Sequence, residues 1–185
     1  MHAALTSALL VALSEIGDKT QILALLLASR FARPLPIILG MLVATIANHL
    51  LAGVLGEMAA AAISPGLLRW GLAAAFLLMA VWMLVPDRLD ESRMTRSSGN
   101  AFLATLIAYF LAEMGDKTQI TTMALAAQYQ TVLPVVAGST IGMMAVDIPT
   151  VLFGRYAAGW LDPRWTRYAA AGLFAAFGLL VPFGL

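Results

Sequence analysis

The 185-residue sequence contains no cysteine, and only 11% of it is Asp, Glu, Lys or Arg. Without cysteine there are no disulfides and no thiolate metal sites, and the compartment is left open. A formal net charge of +1 supplies no global field for nucleic acid. The scarcity of charge says more, because soluble globular domains are about one-quarter charged. Long polar stretches are also missing. The longest, "PDRLDESRMTRSSGN" (Pro86 to Asn100), is linker-sized and leaves no room for a separate soluble domain. What remains is 61% hydrophobic, with a mean hydropathy of +0.88. Apolar runs of about 20 residues recur, the length that crosses a hydrocarbon core. This composition predicts an all-α integral membrane protein. The first apolar segment, from Ala3, lacks a basic n-region and is too long for a secretory signal peptide, so it reads as a retained span. With no organelle transit peptide ahead of it, the expected origin is bacterial.

The chain is one unit written twice. A shift of 98 positions, without a gap, lays Leu13-x-Glu15-x-Gly17-Asp18-Lys19-Thr20-Gln21-Ile22 on Leu111-x-Glu113-x-Gly115-Asp116-Lys117-Thr118-Gln119-Ile120. The same shift pairs Pro36 with Pro134, Gly40 with Gly138, Gly56 with Gly154, Pro65 with Pro163, Arg69 with Arg167 and Phe76 with Phe174. Each half holds three candidate spans, near 3–28, 35–61 and 66–86, then 101–127, 132–160 and 165–184. The expected organisation is a three-helix repeat over 1–86, a linker over 87–100 and a second repeat over 101–185, together one transport domain. Three is odd, so the second half must enter the membrane from the opposite side. Six transmembrane helices would then form two inverted three-helix repeats, the plan of many secondary transporters.

Basic residues set the orientation. If the N-terminus lies on one side, the other side collects Arg30, Arg33, Arg88, Arg93, Arg96, Arg155, Arg164 and Arg167, against Arg69 alone. The richer side is expected to be cytoplasmic, with the central loop, and both termini outside. Trp70, Trp160 and Trp165 fit an interfacial belt, and Arg69 and Arg167 read as snorkelling anchors.

The doubled motif puts two carboxylates and a lysine in the middle of an apolar span. Glu15 and Asp18, like Glu113 and Asp116, are three apart and would share a helix face, one turn apart. Gly17 and Gly115 would permit local unwinding. Inversion would bring the two motifs face to face at the bilayer centre. Pairs such as Glu15 with Lys19 and Glu113 with Lys117 could serve packing alone. Each charge at that depth costs about 2.5–3.5 kcal/mol on insertion scales, however, so six of them argue for function. Four carboxylates and two lysines leave a formal −2, which one divalent cation or two protons would balance. With side-chain oxygens from Thr20, Gln21, Thr118 and Gln119 they offer a hard oxygen cage for Ca²⁺, Mn²⁺ or Mg²⁺. Protons competing with the metal for those oxygens would amount to antiport. Lys19 and Lys117 would pair with the carboxylates between steps.

The second spans break the symmetry, since Asn48-His49 aligns with Val146-Asp147. Asp147 is a candidate proton carrier or additional ligand. His49 is either a packing histidine or a ligand or relay, and Asn48 could supply a carbonyl oxygen. Pro149 is expected to kink the fifth span. Gly40-x-x-x-Ala44 and Gly138-x-x-x-Gly142 predict close helix contacts, and the ten methionines read as packing.

Glu-x-Gly-Asp-Lys-Thr, once at the start of each half, resembles the signature of a transporter family that includes bacterial manganese exporters, chloroplast manganese transporters and Golgi cation/proton exchangers. That family is grouped with the lysine exporters. The resemblance covers essentially the whole chain. It implies a divalent-cation/proton antiporter of a bacterial inner membrane, not an enzyme, with Mn²⁺ or Ca²⁺ as substrate and no cofactor. Its acidic residues fall on Glu15, Asp18, Glu113 and Asp116. The central loop lacks the acidic stretch of some members, which argues against metal sensing there. Other readings are an exporter of small organic cations such as lysine, an intramembrane metal-dependent enzyme, and a structural subunit. Four convergent carboxylates suit a metal better than an amine, and mid-span motifs suit a transporter better than an interfacial enzyme. The cost of buried charge speaks against a scaffold.

Overall fold

The computed structural model describes residues 1–85, 100–154 and 163–183. Among the described residues all regular structure is helical. In chain order the α-helices are α1 (His2–Glu15), α2 (Lys19–Phe31), α3 (Pro34–Ala62), α4 (Pro65–Met83), α5 (Ala101–Glu113), α6 (Lys117–Tyr129), α7 (Leu133–Phe153) and α8 (Pro163–Leu180). A 3-10 turn, Val181–Phe183, follows α8. Four apolar segments have the length and composition to cross a membrane: α3, α4, α7 and Trp165–Phe183. These overlap the spans expected at 35–61, 66–86, 132–160 and 165–184, although α7 ends at Phe153, seven residues short of the expected end, and 155–160 lie outside the described residues.

The other two expected spans are corrected. Neither 3–28 nor 101–127 is one helix: each divides at its motif, into α1 and α2 and into α5 and α6. Of the linker expected at 87–100 only Asn100 is described. Its Oδ1 accepts the N–H groups of Phe102 and Leu103 at 3.0 and 3.3 Å and caps α5. Asp87, Arg88, Asp90, Glu91, Arg93, Arg96, Arg155, Trp160 and the Arg164 side chain lie outside the described residues.

Local sequence explains most boundaries. Prolines open α3, α4 and α7, where their missing N–H costs nothing. Ala32 and Gln130, equivalent in the repeat, end α2 and α6 in the left-handed conformation, both at φ 49°. Pro149 does not end α7, which runs on to Phe153. It leaves one carbonyl, that of Ala145, without its helical donor.

The halves are interleaved. The broken helix of each half seats on the long helix of the other, α1 and α2 on α7, α5 and α6 on α3. Alpha carbons come close there because side chains are missing. A Cβ on Gly138 or Gly142 would strike the backbone of Ala4 or Ala8, and one on Gly40 would lie 2.7 Å from Phe102 O. The small-residue faces are therefore contacts between halves. At two places a residue touches its own repeat equivalent. Thr45 Oγ1 donates to Met143 Sδ at 3.4 Å where α3 meets α7. The rings of Phe76 and Phe174 stand 6.3 Å apart where α4 meets α8.

Burial follows this plan. Leu10, Phe76, Met79, Met83, Leu125 and Phe174 form one apolar cluster, and Val11, Ile37, Met41, Tyr109 and Met143 another. The buried methionines are packing residues, as expected. Much large apolar surface faces outward, including Leu78, Trp70 and Trp165. Exposed apolar area on that scale fits a molecule whose solvent is lipid.

Candidate functional site

Each motif is a helix break whose letters have separate jobs. Glu15 ends α1, and Ile16 follows at φ −65°, ψ 115°. Gly17 then takes φ 80°, and Asp18 N–H returns to Glu15 O at 3.0 Å. That is a type II turn, which needs a residue tolerant of positive φ at its third place. The second copy repeats it: Met114 at φ −63°, ψ 118°, Gly115 at φ 75°, and Asp116 N–H to Glu113 O at 3.1 Å. Asp18 and Asp116 occupy the N-cap positions of α2 and α6, where the positive helix end favours a carboxylate. Glu15 and Asp18 thus flank a turn and do not share the helix face expected of them, and the same holds for Glu113 and Asp116.

Threonine and glutamine hold the break together. Thr20 Oγ1 donates to Glu15 Oε1, and Thr118 Oγ1 donates to Glu113 Oε2 at 2.6 Å. Gln21 Oε1 accepts the Gly17 N–H at 3.0 Å, and Gln119 Oε1 accepts the Gly115 N–H at 2.7 Å. The freed backbone donors are thereby satisfied inside the protein, as they must be away from water. The four oxygens foreseen as cage ligands are used first to build the motif.

The lysines do not make the i, i+4 pairs considered from sequence. Lys19 Nζ lies 3.0 Å from Asp116 Oδ1, in the other half. Lys117 Nζ donates to Val85 O, just past α4, at 3.1 Å. Two more bonds tie the halves here. Gln21 Nε2 donates to Thr150 Oγ1 at 3.2 Å, and Tyr109 OH donates to Thr20 O at 2.9 Å.

Five buried carboxylates gather around these bonds. Glu15, Glu113 and Asp147 are fully buried and Asp18 and Asp116 nearly so, and the charges of the other four all act on Glu15. Asp147 is fully buried against the Tyr109 phenol. Since that phenol spends its one hydrogen on Thr20, neither Asp147 oxygen has a hydrogen-bond partner among the described residues. The same is true of Glu15 Oε2, Glu113 Oε1 and Asp116 Oδ2. Each glutamate therefore has one oxygen fixed by its threonine and one with lone pairs unanswered. Among the described residues no three acidic or histidine side chains stand close enough to share one ion as they lie. Asp116 is drawn to Lys19, and the threonines hold the glutamates in their own turns. The carboxylates form an electrostatic cluster, not a closed cage.

Asn48 Nδ2 donates to Phe110 O at 3.1 Å, leaving Asn48 Oδ1 buried and without a partner among the described residues. His49 Nδ1 lies 2.9 Å from Ser139 Oγ and 3.4 Å from Thr140 Oγ1. Tyr109, Thr150, Ser139 and Thr140 were not singled out from sequence. A signal was there: their repeat equivalents are Val11, Ala52, Met41 and Leu42, four places where one copy is apolar and the other polar.

Residues 3–91 and 101–183 match the family described as "Divalent cation/proton antiporter GDT1". The chain belongs to that family. Its members are transporters, not enzymes, which agrees with the membrane-crossing helices and the buried carboxylates. A Vibrio cholerae protein named "Putative manganese exporter" is 48% identical over 174 residues, covering 94% of this chain and 86% of that one. A GDT1-like protein of Synechocystis is 26% identical, over 93% and 92% of the two chains. The Arabidopsis thaliana "Protein PAM71-homolog, chloroplastic" is 25% identical, over 95% of this chain and 58% of its own. No solved structure matches.

Proposed function

We propose that this antiporter exports divalent cations, Mn²⁺ before Ca²⁺, from the bacterial cytoplasm in exchange for inward-moving protons. The observation that carries the reading is the set of buried acidic oxygens with no hydrogen-bond partner among the described residues, on Glu15, Glu113, Asp116 and Asp147, clustered around the Lys19–Asp116 ion pair between the halves. Buried acceptors demand a partner, and a divalent cation or protons can each supply one. The oxygen-rich donor set suits Mn²⁺ and Ca²⁺. Mn²⁺ is ranked first on the name of the Vibrio relative.

The cation is held between the two motifs by Glu15, Asp18, Glu113 and Asp116. Binding releases Asp116 from Lys19 and turns the free oxygens of Glu15 and Glu113 toward one ion. Thr20, Gln21, Thr118 and Gln119 keep the breaks rigid while this happens. Lys19 and Lys117 neutralise the carboxylates when the cation has left. Asp147 accepts protons beside Glu15, and Asn48 and His49 line the equivalent place beside Glu113.

The architecture in this reading is six crossings in two inverted units. The first crossing of each unit is made of two half-helices whose ends meet at the site, an arrangement that suits ion binding at mid-membrane. Contacts between repeat equivalents, Thr45 with Met143 and Phe76 with Phe174, support it, because such pairs can touch only near an axis that exchanges the halves. Both termini face outward and the linker is cytoplasmic, following the arginines.

Purified protein in sealed liposomes, with a pH dye and a metal dye inside, tests the reading. A Mn²⁺ gradient should drive opposite proton movement, a Ca²⁺ gradient less, and Glu15→Gln and Glu113→Gln should abolish both. Metal flux without proton movement, or unchanged flux in both variants, would refute it.

A further inference from the structure

We infer that Tyr109 and Thr150 are positioning residues for the cation, holding Glu15 in its binding geometry from the opposite half of the protein. The inference deepens the transport reading above and rests on its cation site. Both contacts have a fixed direction. Thr20 O is a carbonyl and only accepts, so at 2.9 Å the Tyr109 phenol is the donor. Gln21 Oε1 takes the Gly17 N–H at 3.0 Å, which sets the amide and leaves Gln21 Nε2 to donate to Thr150 Oγ1 at 3.2 Å. Thr150 Oγ1 gives its own hydrogen to Val146 O at 3.1 Å, so it is rooted in α7 while it accepts. Tyr109 and Thr150 are both fully buried. Each bond continues into the first motif. Tyr109 acts through Thr20, whose hydroxyl holds Glu15 Oε1, and Thr150 through Gln21, whose amide closes the turn at Gly17.

The bracing runs one way. The repeat equivalents of Tyr109 and Thr150 are Val11 and Ala52, which have no polar side-chain atom, so Thr118 and Gln119 cannot be gripped from those places. Lys117 reaches the first half at Val85 O, and Tyr129 OH reaches Thr6 Oγ1 at 3.2 Å from the other end of α6. Neither bond involves the threonine or the glutamine of the second motif. Glu15 is thus registered against the opposite half as well as within its own turn. For Glu113 the described bonds stop at Thr118, inside its own turn. Partners behind a metal ligand fix its orientation, and their loss weakens metal binding by about 10–100-fold. A ligand already in place also gives up less freedom when the cation arrives. The first motif is in this sense the prepared side of the site, and losing its braces costs affinity.

The test compares Tyr109→Phe and Thr150→Val, each of which deletes one hydroxyl while keeping the bulk of the side chain. Titrating Mn²⁺ into the purified full chain, with free Mn²⁺ read from its EPR signal, gives Kd. Exchange in liposomes gives KM and the maximal rate. Each variant should raise Kd and KM for Mn²⁺ about tenfold and leave the maximal rate within about threefold. Val11→Ala loosens packing at the equivalent place without removing a bond, and its Kd should stay within about twofold of wild type. In a Thr20→Val background the link to Glu15 is already cut, so Tyr109→Phe should add less than about twofold. Unchanged Kd in both variants overturns the inference even if their thermal midpoints fall, and so does a Val11→Ala effect as large as that of Tyr109→Phe. Full additivity with Thr20→Val overturns it too, since the phenol would then act elsewhere, as on Asp147. Should Tyr109→Phe fail to fold, an unchanged Kd in Thr150→Val overturns it alone. Mn²⁺/proton exchange in wild type with unchanged Kd in both variants sinks this inference and not the transport reading. Weakened Mn²⁺ binding in both variants, with no exchange in wild type, sinks the transport reading and not this inference.

Discussion

Lys19 and Asp116, the fifth and fourth residues of Glu-x-Gly-Asp-Lys in different copies of the motif, form an ion pair of 3.0 Å across the interface between the halves. The aspartate is 3% exposed and the lysine 20%. A bond of that kind is costly to leave half-made, because the remaining carboxylate stays buried without its counter-charge.

Lys19→Met should therefore lower the unfolding stability in detergent by about 3 kcal/mol, the low end for a broken buried pair since the lysine is partly exposed. Lys19→Met combined with Asp116→Asn should recover most of that loss. Thermal unfolding of the three variants gives the coupling, and additive losses would mean that the two side chains do not act as a pair.

Gly115 isolates the backbone demand of the turn. A Cβ there meets nothing within 4 Å, yet φ is 75°. Gly115→Ala should cost about 1–2 kcal/mol from the left-handed conformation alone. Asn, which tolerates that conformation better, should cost less. Denaturation midpoints of the two variants rank them.

At Gly138 the demand is for space. A Cβ would run into the Ala4 backbone, so Gly138→Ala should separate α1 from α7 and destabilise by about 1–3 kcal/mol. Gly172, also in a helix, has open space around it, and Gly172→Ala should be neutral or stabilising by up to about 1 kcal/mol. Equal effects at the two positions would contradict the interleaved packing.

Thr118→Val should leave Glu113 Oε2 without its donor and cost about 1–3 kcal/mol. Thr118→Ser keeps the hydroxyl and should stay near wild type in both stability and transport. A valine variant as active as wild type would show that the threonine does not position the glutamate.

Mn²⁺ should raise the thermal midpoint of the wild-type protein, by mass action worth about 2.7 kcal/mol at a hundred times its Kd. Glu15→Gln should reduce that shift, and the loss is read by comparing the two proteins across a Mn²⁺ titration.

Much of this was legible in the chain because a repeat is its own control. The 98-residue register located both motifs, and four long apolar runs became α3, α4, α7 and Trp165–Phe183, with α7 ending at Phe153 rather than near 160. The break inside the first span of each half was foreshadowed by Gly17 and Gly115, but hydropathy does not distinguish one long apolar helix from two short ones in line. Spacing along the chain places Lys19 one turn from Glu15, whereas its bond to Asp116 depends on how the halves dock. Tyr109 and Thr150 were missed for a different reason: each belongs to no motif and stands out only where the two copies disagree, against Val11 and Ala52.

Neither half carries its own core. Each broken helix finds its seat on the other half's long helix, and within a half α1 and α3, or α5 and α7, have little to hold them together. Severing the chain in the linker should thus yield two pieces that are each incompetent alone and functional when made together. Each half is thus the scaffold on which the other is built, and because the two copies are written separately, equivalent places such as His49 and Asp147 carry different chemistry on the two faces of one transporter.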